Sequence, residues 1–96
     1  MAKSHDIAAR RIARILKGRY TPSKSPDVKG KLGRAEVKSK AGEISEALRQ
    51  LGGSSGDAYI VLPKSEHPEA LRRLRSRKTG ILDYLGNITK PSTRKK

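Results

Sequence analysis

Asp27, Glu36 and Lys38 are the residues whose types and spacing could do chemistry. Asp27-Val28 and Arg34-Ala35-Glu36-Val37-Lys38-Ser39 flank the turn-forming run Lys29-Gly30-Lys31-Leu32-Gly33, which predicts a short β-hairpin. With the turn centred on Lys31-Leu32, antiparallel register sets Val28 opposite Ala35 and Asp27 opposite Glu36. Residues directly opposite point to one face with Cβ atoms about 5 Å apart. Two carboxylates so placed repel, and a divalent cation shared between them turns repulsion into attraction. Lys38 lies two residues beyond Glu36 and therefore on the same face. Its ammonium could orient or help deprotonate a metal-bound water and offset charge on a scissile phosphate. The same residues could equally form an ordinary exposed hairpin with alternating charges.

The flanking sequence must position this pair. From Asp6 to Lys17, Ile7, Ala8, Ile12, Ile15 and Leu16 recur at helical spacing, with Arg10, Arg11, Arg14 and Lys17 on the rest of the circumference. That predicts an amphipathic helix ended by Gly18. Residues 21–26 read as a Pro/Ser-rich connector. In the hairpin, Ala35 and Val37 face the core and Arg34, Glu36 and Lys38 the other side. Ile44, Ala47, Leu48 and Leu51 predict a helix over 42–51, stopped by Gly52-Gly53-Ser54-Ser55-Gly56. Ala58-Tyr59-Ile60-Val61-Leu62 is apolar on both faces, the mark of a covered central strand. Strand, helix and strand in that order imply a right-handed parallel crossover. Ser65 reads as an N-cap, with Pro68 in the first turn, for a helix to about Arg77 that exposes Arg72, Arg73, Arg75 and Arg77. A last short strand runs from Gly80 to Tyr84. The expected fold is a small α/β domain, a mixed β-sheet flanked by helices in the order α-β-β-α-β-α-β.

Composition bounds what such a domain can be. The chain has 96 residues, 23 of them Lys or Arg against 9 Asp or Glu, for a formal charge of +14. That size predicts one domain over 1–89, and the absence of Phe and Trp predicts a thin core. Residues 90–96 carry four basic side chains and nothing apolar, which predicts a disordered basic tail. Zero cysteines exclude disulfides, thiolate zinc sites and cysteine nucleophiles. His5 and His67 stand too far apart in sequence to suggest zinc. The glycine loop at 52–56 lacks the Gly-Lys-Ser/Thr of a nucleotide phosphate loop, and no small-molecule cofactor is expected. No apolar run approaches the roughly 18 residues of a membrane span, and the N-terminus lacks a signal-peptide stretch, so the expected location is cytoplasmic, with no membrane partner. The positive excess calls for a polyanion, with Arg10, Arg11, Arg14, Lys17, Arg72, Arg73, Arg75 and Arg77 as candidate phosphate contacts.

Ser25-Pro26-Asp27 followed by Ala35-Glu36-Val37-Lys38-Ser39 resembles the PD-D/ExK signature of the restriction-endonuclease-like nuclease superfamily, which includes archaeal Holliday-junction resolvases. The expected element order resembles that family's core over roughly residues 5–85. The resemblance implies a Mg²⁺-dependent DNA endonuclease, with Mn²⁺ able to substitute. Asp27, Glu36 and the Val37 carbonyl would be metal ligands and Lys38 the catalytic lysine. It is compatible with a homodimer and with selectivity for branched DNA, and the chain has no room for a separate specificity domain. Many members carry a Glu on the first helix, where the only acid here is Asp6. Several branches place a helper glutamine in the helix that holds Gln50, although a surface glutamine is the plainer reading. The rival from another class is a non-catalytic basic protein binding DNA or RNA, including a nuclease fold without activity. Carboxylates too far apart to share one cation, with Lys38 pointing elsewhere, would favour that rival.

Overall fold

The first helix forms because Ala8, Ala9, Ile12 and Ala13 fall on one side of it and are buried, while Arg10, Arg11 and Arg14 stay in solvent. A computed structural model describes residues 4–21, 27–51 and 57–92 of the chain. In it α1 spans Ser4–Ile15. The helix is not ended by Gly18 as expected: Lys17 takes the left-handed turn, at φ 56°, and Gly18 opens a strand, β1 (Gly18–Tyr20). A glycine is required there for a different reason. Gly18 pairs with Gly30 of β2 (Val28–Gly30), and a Cβ on Gly18 would stand 1.9 Å from the Lys29 carbonyl oxygen.

The hairpin has the expected register. β2 pairs with β3 (Gly33–Val37), with Val28 opposite Ala35, Lys29 opposite Arg34 and Gly30 opposite Gly33. A 3₁₀ turn at Ala41–Glu43 leads into α2 (Ile44–Leu51), and β4 (Ala58–Val61) returns parallel to β3 with Glu36 beside Ile60. A second 3₁₀ turn, Lys64–Glu66, takes the place expected for a Ser65 N-cap; α3 spans His67–Leu74, with Pro68 in its first turn, and stops short of Arg77. β5 (Gly80–Leu82) is parallel to β4 and ends before Tyr84, and β6 (Ile88–Lys90) is antiparallel to β5. The six strands form one mixed sheet in the order β1-β2-β3-β4-β5-β6.

β1 and β6 are additions to the expected order. β6 also moves the expected boundary at residue 89, because Lys90 belongs to it and donates from Nζ to the carbonyls of Arg77 and Thr79, both at 2.7 Å. Ser92 Oγ accepts from the Ala58 N–H at 3.1 Å. The rest of the expected tail, 93–96, and the connector at 22–26 lie outside the described residues.

Two apolar layers hold the sheet. On one face α1 packs with Val28, Ala35, Val37, Val61 and Leu82. On the other, α2 and α3 pack with Ala58, Ile60, Leu62 and Ile81. Many of the buried positions are alanines, among them Ala8, Ala9, Ala35, Ala47, Ala58 and Ala70, which lets helices approach the sheet closely and gives a chain without Phe or Trp two closed layers. The face assigned to Arg34, Glu36 and Lys38 is therefore not solvent. α2 covers it, and Glu36 is 1% exposed. No helix among the described residues is long and apolar enough to cross a membrane.

The Gly18 contact is backbone against backbone, so Gly18→Ala must separate β1 from β2. Unfolding in urea should show a loss of about 1–3 kcal/mol or more, while Gly42→Ala, where an added Cβ meets nothing within 4 Å, should leave stability unchanged or slightly raised.

Candidate functional site

At the carboxyl end of β3 the hairpin ladder is completed by side chains. The Asp27 N–H donates to Glu36 Oε1 at 2.5 Å, and the Val37 N–H donates to Asp27 Oδ2 at 3.0 Å. Each carboxylate is thus pinned to the opposite strand, and the expected juxtaposition of Asp27 and Glu36 is present. Burial pushes the Glu36 carboxyl above the ordinary carboxylate range and the charge of Asp27 adds to this, against the opposing pull of the Asp27 N–H and Lys38.

Lys38 follows β3 and joins the group. Its side chain is 12% exposed, with Nζ 3.8 Å from Glu36 Oε2 and 2.8 Å from Glu46 Oε1 on α2. Glu46 is a partner the sequence reading missed. The Lys38 backbone is held from both sides: its N–H donates to the Val61 carbonyl at 2.9 Å, and its carbonyl accepts from the Tyr84 hydroxyl at 2.8 Å. Tyr84 stands in a turn built on Asp83, which accepts from the backbone N–H groups of Leu85 and Asn87 and from the Asn87 side chain.

His5 is the second missed residue. From the first turn of α1 its Nε2 reaches the Val37 carbonyl at 3.0 Å and lies 3.4 Å from Asp27 Oδ2. Asp6, the one acid in this helix, whose part in the site the sequence left open, accepts from the Tyr20 hydroxyl at 2.6 Å and lies 3.8 Å from His5 Nδ1. A signal for His5 was present in the spacing. His5, Ala8, Ala9 and Ile12 fall at i, i+3, i+4 and i+7, which places the imidazole on the face of α1 turned to the sheet. His67, by contrast, is buried between the Leu62 carbonyl (2.9 Å) and the Thr89 hydroxyl (2.7 Å), remote from any other histidine.

The donors gathered here are two carboxylates, the Val37 carbonyl and one imidazole nitrogen. Among the described residues, no three His, Asp or Glu side chains are closed into a ready-made ligand cluster. The chemistry of the set nevertheless fits a hard divalent cation, which takes mainly oxygen donors and would offset the Asp27 charge that adds to the effect of burial on Glu36. Gln50, one turn beyond Glu46 on the same side of α2, is half-buried and not a plain surface glutamine; its Oε1 has no hydrogen-bond partner among the described residues.

The two arginine sets are not brought together. Arg10, Arg11, Arg14 and Lys17 are exposed on α1, Arg11 also donating to the Tyr84 carbonyl at 3.1 Å, and they lie over one face of the sheet. Arg72, Arg73, Arg75 and Arg77 belong to α3 and its exit, over the opposite face, and the first two are engaged by Glu69. Of the α1 set, Arg10 is close enough to Asp6 to lower it, although the Tyr20 hydrogen bond lowers it most.

A raised carboxyl favours the folded state in its neutral form, so this contribution is present in acid and is lost as pH rises through the folded value. Glu36→Gln should therefore melt higher than the parent near neutral pH, and the two should converge as pH falls below the ordinary carboxylate range, where the parent carboxyl is neutral in both the folded and the unfolded chain; thermal melts from neutral to acid pH check this. Compared with known proteins, the chain matches no family model, no curated protein and no solved structure, so its functional reading rests on the site's own geometry.

Proposed function

We propose that this chain is a metal-dependent DNA endonuclease that hydrolyses phosphodiester bonds, built on a restriction-endonuclease-like core. The observation that carries the reading is the buried Glu36 carboxylate, linked through backbone hydrogen bonds to Asp27 on the adjoining strand, with the Lys38 ammonium 3.8 Å away. Nothing in packing an alanine-rich sheet requires three ionisable side chains at that point, and burying them is costly.

Asp27, Glu36 and the Val37 carbonyl would hold Mg²⁺ or Mn²⁺, with His5 Nε2 beside them. A bound cation of this kind would supply Lewis acidity toward a phosphoryl oxygen and a bound water more acidic than bulk water. The protein's own part is orientation and charge. Lys38 approaches from the α2 side, where its pairing with Glu46 keeps the ammonium in place and where a phosphate oxygen would compete for it. Arg10, Arg11, Arg14 and Lys17, exposed on the helix that also carries His5, would present a sequence-independent phosphate surface. Branched DNA is the substrate we favour on family analogy.

One observation favours the rival, a non-catalytic basic nucleic-acid-binding protein: Asp27 Oδ2 and Glu36 Oε1 each accept a backbone N–H, which gives both carboxylates a structural task. A cleavage assay separates the two. Supercoiled plasmid and four-way-junction DNA should be cut with Mg²⁺ or Mn²⁺ and spared in excess chelator, and Asp27→Ala, Glu36→Ala and Lys38→Ala should each lower the rate by roughly 10²-fold or more. Binding without cleavage in the parent, or equal cleavage in all four proteins, would overturn the proposal. Arg10→Ala and Arg14→Ala should weaken binding on every sequence and each reduce the salt slope by about one.

A further inference from the structure

His5 sits on the first turn of a helix with its side chain 41% exposed, a position from which an imidazole can swing into solvent. Its Nε2 edge is nevertheless directed at two oxygens of the proposed centre, Val37 O at 3.0 Å and Asp27 Oδ2 at 3.4 Å. On the opposite edge, Nδ1 faces Asp6 Oδ1 at 3.8 Å, ion-pair rather than hydrogen-bond distance. The same Asp6 oxygen is held by the Tyr20 hydroxyl at 2.6 Å, and the Tyr20 ring lies tilted 55° against the imidazole at 6.3 Å between centroids. Tyr20, Asp6 and His5 thus form a chain that starts on β1 and ends at the carboxylates.

The tautomer rule gives this chain a task. A hydrogen bond from Nε2 to the Val37 carbonyl requires the proton on Nε2. If Nε2 is to offer its lone pair to a cation, the proton must reside on Nδ1, and that proton needs an acceptor behind the ring. Asp6 is the carboxylate in that position. It is held there by the Tyr20 hydroxyl, which donates to Asp6 Oδ1 at 2.6 Å. Tyr20 answers as its partner, pushed up to about 12 by burial and by the bond it donates to Asp6, so it remains a hydroxyl donor at any working pH.

We propose that Asp6 and Tyr20 are positioning residues for His5, holding the imidazole so that Nε2 is presented to a divalent cation shared with Asp27 and the Val37 carbonyl. This rests on the metal-dependent reading above. It extends that reading by one layer and assigns a role to β1, whose Tyr20 is the anchor.

The test is a double-mutant cycle read by calorimetric titration of Mn²⁺ into the full-length protein, without DNA and without turnover. Asp6→Asn preserves an acceptor for Tyr20, and Tyr20→Phe preserves the ring. Each should weaken Mn²⁺ binding by about 10-fold or more, the usual range for loss of an outer partner of a metal-bound histidine. In a His5→Ala background the same two changes should alter the dissociation constant by less than about two-fold, since their route to the metal is gone. Parent-like binding by both single variants would overturn the positioning role and leave the metal centre standing. Equal losses with and without His5 would also overturn it, as the mark of a general effect on the fold. No Mn²⁺ binding by the parent would remove the metal centre itself, and the positioning role with it.

Discussion

A carboxylate at 1% exposure in a central strand is the constraint around which this small domain is arranged. Isolated, such a charge would cost several kcal/mol to bury. Glu36 is tolerated because it is tied on two sides, to the Asp27 N–H across the hairpin and to the Lys38 ammonium two residues along the chain, which is itself paired with Glu46 of the helix that covers it. Those ties in turn set the end of the hairpin, the seating of α2 and the path of the chain after β3. The balance still leaves the carboxyl raised, chiefly by its burial, so the ties offset the cost of the charge only in part.

The global charge is organised on different terms. An excess of fourteen positive charges on 96 residues repels itself, and the fold spreads it outward on helix backs while the two apolar layers stay free of it. α1 joins the two scales. Its exposed side carries Arg10, Arg11 and Arg14, its buried side seals one layer through Ala8, Ala9 and Ile12, and its first turn delivers His5 to the carboxylates. One element thus carries the positive surface, a share of the core and a contact with the carboxylates.

The hairpin register was legible because the turn residues and the alternation of Ala35 and Val37 agree with one another, and agreement between levels is what makes a local reading dependable. β4 was legible for a related reason: an unbroken apolar run has few places to go but the middle of a sheet. β1 and β6 were not, since three-residue strands carry no periodicity; β1 exists through the approach of Gly18 to Gly30, a pairing between distant positions that no window reveals. Glu36 was assigned to the correct face of β3, but that α2 would close that face follows only from the folded crossover. His5 was passed over because it was weighed as half of an improbable zinc pair instead of as the first member of a buried helical stripe. Asp6 was singled out as an acid, yet an acid one position off that stripe supports a neighbour and does not reach the carboxylates.

One modest contact has a wider consequence. The Thr21 N–H donates to the Asp27 carbonyl at 2.8 Å, so the two ends of the connector are fastened to each other immediately before the hairpin begins. The strain of any change in the intervening chain is absorbed at that clasp, and the entropy of closing a loop grows only slowly with its length. A connector of different length or composition can therefore join Thr21 to Asp27 and still present Asp27 in the same place, which makes this position a natural point for grafted sequence.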